Sequence, residues 1–459
     1  MMTAQLPVRS FRSTSDSSHP DRWRTPLGIV LFGLLLLTGC GTKEIEAGDL
    51  QGAWRAILQS PGGELPFALV FESLSGELRA VILNGEERVS TSGVELAGTE
   101  VTIRFEWYDS EISARLTEPG RLVGQWRRTS AEGANTVMQF AASRHSESPE
   151  QTPQRFGDLP ESIPASQAAT KVDGDWQVTF RDEDGEEPAR GEFEQQGPLV
   201  RGTFLTPTGD YRYLEGRYES GVLRLSTFDG AHAFLFQARA TADGGLEGDF
   251  WSRDTYHATW TAEPLGEEDE VLPDPWKEVT LTNGDGLFRF SFPDVLSGDT
   301  VSSDDPRFDG KVVLVTIFGT WCPNCNDKAP LLSSWHRRYK AEGLEIVGLA
   351  YEFTGDPERD GLQIRRFARR HSLDFPLLLA GISDKKAAAL TLPDLSAVRS
   401  YPTTLFIGRD GKVRAIHSGF AGPGTGEHHS ALVAEHETLI QELLAENVGG
   451  PESDASPSA

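Results

Sequence analysis

Two cysteines stand two residues apart in FGTWCPNCNDKAP, residues 318–330, and the 459-residue chain holds only one more, Cys40. A zinc site would need further sulfur or imidazole ligands at suitable spacing, and none flanks the pair. In an exported chain a lone, closely spaced pair reads as redox chemistry rather than as a structural staple. Redox chemistry of this kind needs the first thiol at the mouth of a helix. Unpaired backbone amides and the helix dipole favour an anion there. They lower a thiol pKa from about 8.5 toward roughly 3.5–7.5. Cys322 is then the nucleophile that attacks a disulfide, and Cys325, one turn on, resolves the mixed disulfide. Pro323 suits the first helical position, with its preset φ and missing donor. With Asn324 it sets the geometry of the helix start. Such a cycle runs without a cofactor or a metal.

The elements around the pair fit that demand. KVVLVTIFG, residues 311–319, is a continuous apolar run and reads as a buried central strand leading into the cysteines. CNDKAPLLSSWHRRYKAEG reads as the helix that carries them. LEIVGLAYE is the next strand. DGLQIRRFARRHSL is a helix whose arginines read as a solvated face. FPLLLAG is a strand and DKKAAALTL a helix. TTLFIGRDGKVRAIHSG is a hairpin, with Asp410-Gly411 as a two-residue turn. An amphipathic helix follows. Its His428, His429 and His436 read as surface histidines rather than metal ligands. GPGTGE lacks the preceding strand and following lysine of a phosphate loop.

The rest of the chain is organised differently. Arg22 and Arg24 precede PLGIVLFGLLLL, an apolar run too short to span a bilayer and typical of an export signal. It ends in LTGC, which resembles a bacterial lipobox. That resemblance implies cleavage before Cys40 and a lipid on its thiol. Gly41, rather than aspartate, points by the same resemblance to the outer membrane. The reading is a signal peptide over 1–39 and a tether over 40–48. A β domain over 49–145 and a second over 171–263 follow, joined by a Pro/Ser/Glu-rich linker, 146–170. An acidic linker over 264–280 leads to an α/β domain over 281–447, and 448–459 is a frayed tail. The two β regions read as copies. GAWRAIL at Gly52 answers GDWQVTF at Gly174, GELRAVIL at Gly76 answers GPLVRGTF at Gly197, and RLVGQW answers GLEGDFW. Short, evenly spaced strands predict antiparallel barrels or sandwiches. The opening Gly-x-Trp resembles lipocalin-type barrels.

The order β-α-β-α-β-β-α, with the cysteines after the first core strand, is the thioredoxin arrangement. GKVVLVTIFGTWCPNC, YPTTLFI, FSFPDV and HSGFAGPGTGEHH resemble the TlpA/ResA-type thiol–disulfide oxidoreductases of the bacterial envelope over residues 287–446, about a third of the chain. The fold class expected is therefore multidomain: two tandem antiparallel β domains, then an α/β thioredoxin-like domain. The resemblance implies a cis proline at Pro402, facing the cysteines and keeping the Tyr401 backbone open to a substrate strand. It also implies substrate contacts from Trp321, Pro323, Asn324 and Tyr401. It implies a disulfide-containing protein as substrate and reduction as the direction. A membrane partner must then donate the electrons, since no further cysteines are present. Two positions depart from the pattern. Thr316 stands where thioredoxin has a buried aspartate, and Lys328 where TlpA/ResA-like proteins often have a glutamate. Glu352 is a candidate proton relay in their place, and Lys328 is expected to favour thiolates electrostatically.

Two other functions compete. A thiol peroxidase wants Pro-x-x-x-Thr-x-x-Cys, but Val315 and Gly319 occupy the proline and threonine places. A lipoprotein scaffold would use its β domains to recruit a partner. A net charge of −26 argues against nucleic acid and against anionic lipid headgroups as partners.

Overall fold

The computed structural model describes residues 44–129, 135–157, 171–266 and 270–446. The expected signal peptide, the lipidation site Cys40 and the tail lie outside the described residues. Among the described residues no helix is long and apolar enough to cross a membrane.

Alternating side chains build two nine-strand units. A helical turn, α1 (Ala47–Leu50), opens the first. Its strands are β1 (Gly52–Ser60), β2 (Gly63–Leu74), β3 (Glu77–Asn84), β4 (Glu87–Ser90), β5 (Gly93–Ala97), β6 (Glu100–Phe105), β7 (Ser110–Glu118), β8 (Arg121–Thr129) and β9 (Asn135–Ser146). They pair antiparallel in the order β4-β3-β2-β1-β9-β8-β7-β6-β5. The second unit repeats the succession with β10 (Gly174–Asp182), β11 (Gly185–Gln196), β12 (Leu199–Thr206), β13 (Gly209–Asp210), β14 (Leu214–Glu219), β15 (Val222–Phe228), β16 (Ala233–Ala240), β17 (Leu246–Ser252) and β18 (Tyr256–Pro264). Here β12 also pairs with β14, so eight strands close into a barrel and β13 hangs on β12. The repeated sequence blocks fall on equivalent strands: β1 and β10, β3 and β12, β8 and β17. Both Gly-x-Trp motifs make the same bond. Trp54 Nε1 donates to the Leu50 carbonyl at 2.7 Å, and Trp176 Nε1 to the Val172 carbonyl at 3.0 Å.

The two units differ in how they fill their cores. The barrel interior is packed with rings: Phe236 lies 4.3 Å from Phe250 and 4.7 Å from Phe204, with Phe180, Tyr211 and Trp260 around them. The first unit is not closed by a ladder between β4 and β5. Instead its core takes in Phe228, Ala231, Ala233 and Leu235 from the β15–β16 hairpin of the second. The Phe228 ring sits 4.6 Å from Phe67 and 5.5 Å from Trp126. Burying such a ring contributes roughly 1.5–3 kcal/mol, so the first unit's core is incomplete without the hairpin of the second.

The C-terminal region begins with a small hairpin, β19 (Ser291–Pro293) and β20 (Thr300–Ser302). It continues through β21 (Val312–Phe318), α2 (Pro323–Tyr339), β22 (Leu344–Glu352), α3 (Pro357–His371), β23 (Leu377–Ile382), α4 (Lys385–Thr391), β24 (Thr403–Ile407), β25 (Val413–Ser418) and α5 (Glu427–Ala445). The sheet order is β23-β22-β21-β24-β25, with β21 parallel to β22 and antiparallel to β24. All seven β21 residues are buried, which is why that stretch is apolar without alternation.

Three local expectations change. The β24–β25 connection spans residues 408–412 rather than two residues, closed by Gly408 N donating to the Lys412 carbonyl at 2.9 Å, with Gly411 at φ +77°. His436 is fully buried, edge-on to His417 at 4.7 Å and beside Trp276, while His428 meets Glu192. The face of α3 is not simply solvated. The Arg370 guanidinium lies 3.4 Å from the Trp107 ring centroid, and Arg359 pairs with Asp109, so α3 docks on the first β unit.

Candidate redox site

The cysteines sit where β21 gives way to α2. Cys322 is the N-cap of α2, with φ −90° and ψ 117°, and Pro323 takes the first helical position. The Cys325 amide donates to Cys322 Sγ at 3.3 Å. A sulfur thus replaces the usual hydroxyl or carboxylate cap, and the positive end of the helix faces it. Both cysteines are free thiols, 6% and 3% exposed. The entry loop is held from below. Asn326 Nδ2 donates to the Thr320 and Cys322 carbonyls, each at 3.0 Å, and Asn326 Oδ1 meets His371 Nε2 at 3.0 Å.

Opposite the helix mouth, the Tyr401–Pro402 bond is cis. The Cys322 thiol donates to the Tyr401 carbonyl at 3.2 Å. With both thiols free, that backbone oxygen is therefore occupied by the protein's own sulfur rather than open to an incoming strand. Trp321 flanks the pair. Its Nε1 donates to the Tyr351 carbonyl at 2.8 Å, its ring stacks on Phe353 at 4.9 Å, and it meets Tyr401 edge-on at 5.4 Å. Pro323 and Asn324 are buried, and Asn324 Nδ2 donates to the Phe420 carbonyl at 3.2 Å. The structure thus brings Cys322, Cys325, Trp321, Pro323, Asn324, Tyr401 and Pro402 to one place.

The AhpC/TSA family matches residues 284–416. The thiol–disulfide oxidoreductase ResA of Halalkalibacterium halodurans is 29% identical over 136 residues, 30% of this chain and 68% of that protein. Among solved structures, a thiol:disulfide interchange protein DsbE from Chlorobium tepidum is 23% identical, with a TM-score of 0.27, covering 36% of this chain and 99% of that one. The thioredoxin-like protein YneN of Bacillus subtilis is 34% identical over 143 residues, 31% of this chain and 75% of that protein. The chain belongs to the thioredoxin-like thiol–disulfide oxidoreductases.

Within this oxidoreductase, Cys325 faces a cavity of about 10 Å³ that Thr316, Lys328, Leu332 and Pro402 also line. Burial first, and then the neighbouring Cys322 sulfur, push the Cys325 thiol well up. Lys328 is 1% exposed. Its Nζ donates to Thr404 Oγ1 and stands 5.6 Å over the Phe420 ring. Burial pulls its amine down to about 7, and Cys325 works the other way. Glu352 lies elsewhere. Its carboxylate accepts from Thr320 N at 2.8 Å and Thr320 Oγ1 at 2.7 Å, and it does not line the Cys325 cavity. Burial raises it to about 8 against the pull of those two bonds. Among the described residues no group of His, Cys, Asp and Glu is arranged to hold a metal ion.

The second β unit reaches the redox helix of this oxidoreductase and the first reaches the loop that enters it, which sequence reasoning missed. Arg128 of β8 donates from Nη1 to the Ala231 carbonyl and from Nη2 to the Trp321 carbonyl, each at 2.9 Å. Arg212, between β13 and β14, pairs with Asp327 of α2 at 2.6 Å, with Asp229 at 3.0 Å, and with Glu87. Burial opposes the Arg212 charge, but Asp327, Glu87 and Asp229 outweigh it and drive its pKa up. The turn into β13 lies on Asn324 so closely that a Cβ on Gly209 would fall 2.0 Å from Asn324 Nδ2. These partners lie 115 to 193 residues away along the chain, and no local pattern announces them.

Proposed function

We propose that this chain is an envelope-anchored reductase of protein disulfides. Reduced Cys322 attacks the substrate disulfide, and one substrate sulfur leaves while the other stays bonded to Cys322. Cys325 then displaces it, so the pair gains a disulfide and the substrate gains two electrons and two protons. The observation that carries the reading is the position of Cys322 Sγ: it caps α2, accepts the Cys325 amide, and lies against the Tyr401 carbonyl before cis Pro402. The helix end favours negative charge on the attacking sulfur, and on the same sulfur when it leaves. No cofactor is needed for that exchange.

The chain's three cysteines supply one redox pair and Cys40. Repeated turnover therefore needs an outside source of electrons, and in this reading a membrane protein provides it. The lipid on Cys40 keeps the chain at the membrane surface, facing the periplasm, with the outer membrane as destination.

The test uses the full chain. Cys325→Ser should trap a mixed disulfide with insulin or a disulfide-bridged peptide, and Cys322→Ser should trap none. A reduction potential nearer that of a strong oxidant than that of thioredoxin would reverse the direction. Mass spectrometry of membrane-extracted chain should find acyl groups on Cys40. Consumption of peroxide faster than of protein disulfides would favour the peroxidase instead.

A further inference from the structure

Resolution of the mixed disulfide requires Cys325 to lose its proton in a buried site. We propose that the Lys328 side chain is the base that takes it. This rests on the dithiol cycle above and adds the group that makes its second half possible.

The argument begins with position. Cys325 and Lys328 are three residues apart on α2 and so share a helix face. They line the same small cavity, with Thr316 and Pro402. The buried face of α2 runs through Cys325, Lys328, Ala329, Leu332 and Trp335, so the lysine occupies a core position. Among the described residues no carboxylate lies within ion-pairing distance of it. Its hydrogen-bond partner is Thr404 Oγ1 on β24, a neutral hydroxyl, and the Phe420 ring lies to one side. Behind it are His417 on β25 and His436 on α5, both buried and both held below their ordinary range by burial first and by the Lys328 charge second. An ammonium in these surroundings has lost its water and gained no counter-ion. A neutral amine is the form the site accommodates near neutral pH.

The alternatives in the vicinity are weaker. Thr316 Oγ1 is buried without a hydrogen-bond partner, but a hydroxyl is no base at neutral pH. Glu352 is bound to Thr320 and lies outside the cavity. His417 and His436 do not line the cavity either.

The step balances. The Cys325 S–H bond breaks and an N–H bond forms on Lys328. The new Cys325 sulfur anion bonds to Cys322 Sγ, and the bond from Cys322 to the substrate sulfur breaks. The substrate leaves as a thiolate and is protonated as Lys328 gives its proton up. Thiolate and ammonium arise together as neighbours in a poorly screened cavity, so each lowers the cost of the other.

The experiment follows the two steps separately in the full-length chain, by stopped flow with a fluorescent disulfide-bridged peptide. Wild type, Lys328→Met and Lys328→Glu are compared from pH 6 to 9. Lys328→Met should leave the attack by Cys322 within about twofold. It should slow the release step by about 10²-fold at pH 7.5, so that the mixed disulfide accumulates although Cys325 is present. The wild-type release step should level off above about pH 7, following the amine. The Met variant should instead climb with hydroxide across the range. Lys328→Glu, which restores a base at the same place, should recover part of the rate. A Lys328→Met chain with unchanged attack, release and pH profile overturns the proposal. So does a wild-type release step proportional to hydroxide from pH 6 to 9, which needs no variant to fold. Failure of wild type and Cys325→Ser alike to form any mixed disulfide overturns the dithiol cycle itself, and this proposal with it.

Discussion

Arg212 of the second β unit pairs at 2.6 Å with Asp327, two residues past Cys325 on the redox helix. The same guanidinium reaches Glu87 in the first unit and Asp229 at the foot of the β15–β16 hairpin. One buried cation thus ties three parts of the chain together at the helix that carries the cysteines. The acids outnumber it, and burial pushes Asp327 up to about 6 despite the pull of Arg212. Removing the cation leaves buried carboxylates opposing one another. Arg212→Met is expected to cost ~3–5 kcal/mol, read from the urea midpoint at pH 7.5. It should also raise the rate at which a bulky maleimide labels Cys322. Labelling at the wild-type rate in a chain so destabilised would show that the β units do not shield the sulfur.

Gly209 and Asn324 give a second handle on the same contact. Gly209 has no side chain because Asn324 Nδ2 occupies the space a Cβ would take. Gly209→Ala should force the β13 turn off the helix, costing about 1–3 kcal/mol by overpacking. Asn324→Ala removes the obstructing amide, so the pair Gly209→Ala/Asn324→Ala should recover most of that loss. A double-mutant cycle in chemical denaturation measures the coupling. Additive effects would mean that the two residues do not meet.

How much of this was legible follows from the range of the signals. The seven-residue apolar run of β21, the Cys-Pro-Asn-Cys helix start and Pro402 are local patterns, and they led to the thioredoxin-like domain. The Gly-x-Trp blocks showed a repeat because each tryptophan bonds a carbonyl four residues back. Lys328 was readable too: it falls three residues after Cys325 and four before Leu332, inside the apolar stripe of α2, yet its charge invited an electrostatic reading rather than one based on burial. His436 hid for the converse reason, since histidine is common on surfaces and its partners Trp276 and His417 lie on other elements. Arg128, Arg212 and the docking of α3 on Trp107 left no trace in sequence. They join residues more than a hundred positions apart, and neither period nor composition encodes such pairs.

Glu352 predicts a pH dependence of stability. Burial holds its carboxyl near 8 in the fold, against an ordinary value of 4.5. The folded chain therefore keeps a proton that the unfolded chain releases between those values. By linkage, stability falls as pH rises through that window and is flat above it. Glu352→Gln keeps an acceptor for the Thr320 amide and removes the titration. Its melting temperature should exceed that of wild type at pH 8.5, and the gap should shrink toward pH 5. A gap that does not change with pH would mean that Glu352 is ionised in the fold throughout.

Phe228 tests whether the β units fold as one. It ends β15 of the closed barrel, but its ring is buried in the first unit, against Phe67, Phe105 and Trp126. The first unit has no ladder between β4 and β5, so this ring and its neighbours from the hairpin fill what closure would otherwise have sealed. Truncating a buried phenylalanine costs about 3–5 kcal/mol. Because the cavity would open in the first unit, Phe228→Ala should loosen amide protection in β2, β6 and β8 more than in β10 and β18. The ring-packed barrel core around Phe236 and Phe250 would stay intact. Hydrogen exchange read by mass spectrometry separates these peptides. Loss of protection confined to the barrel would place Phe228 in its own unit's core and break the link between the two.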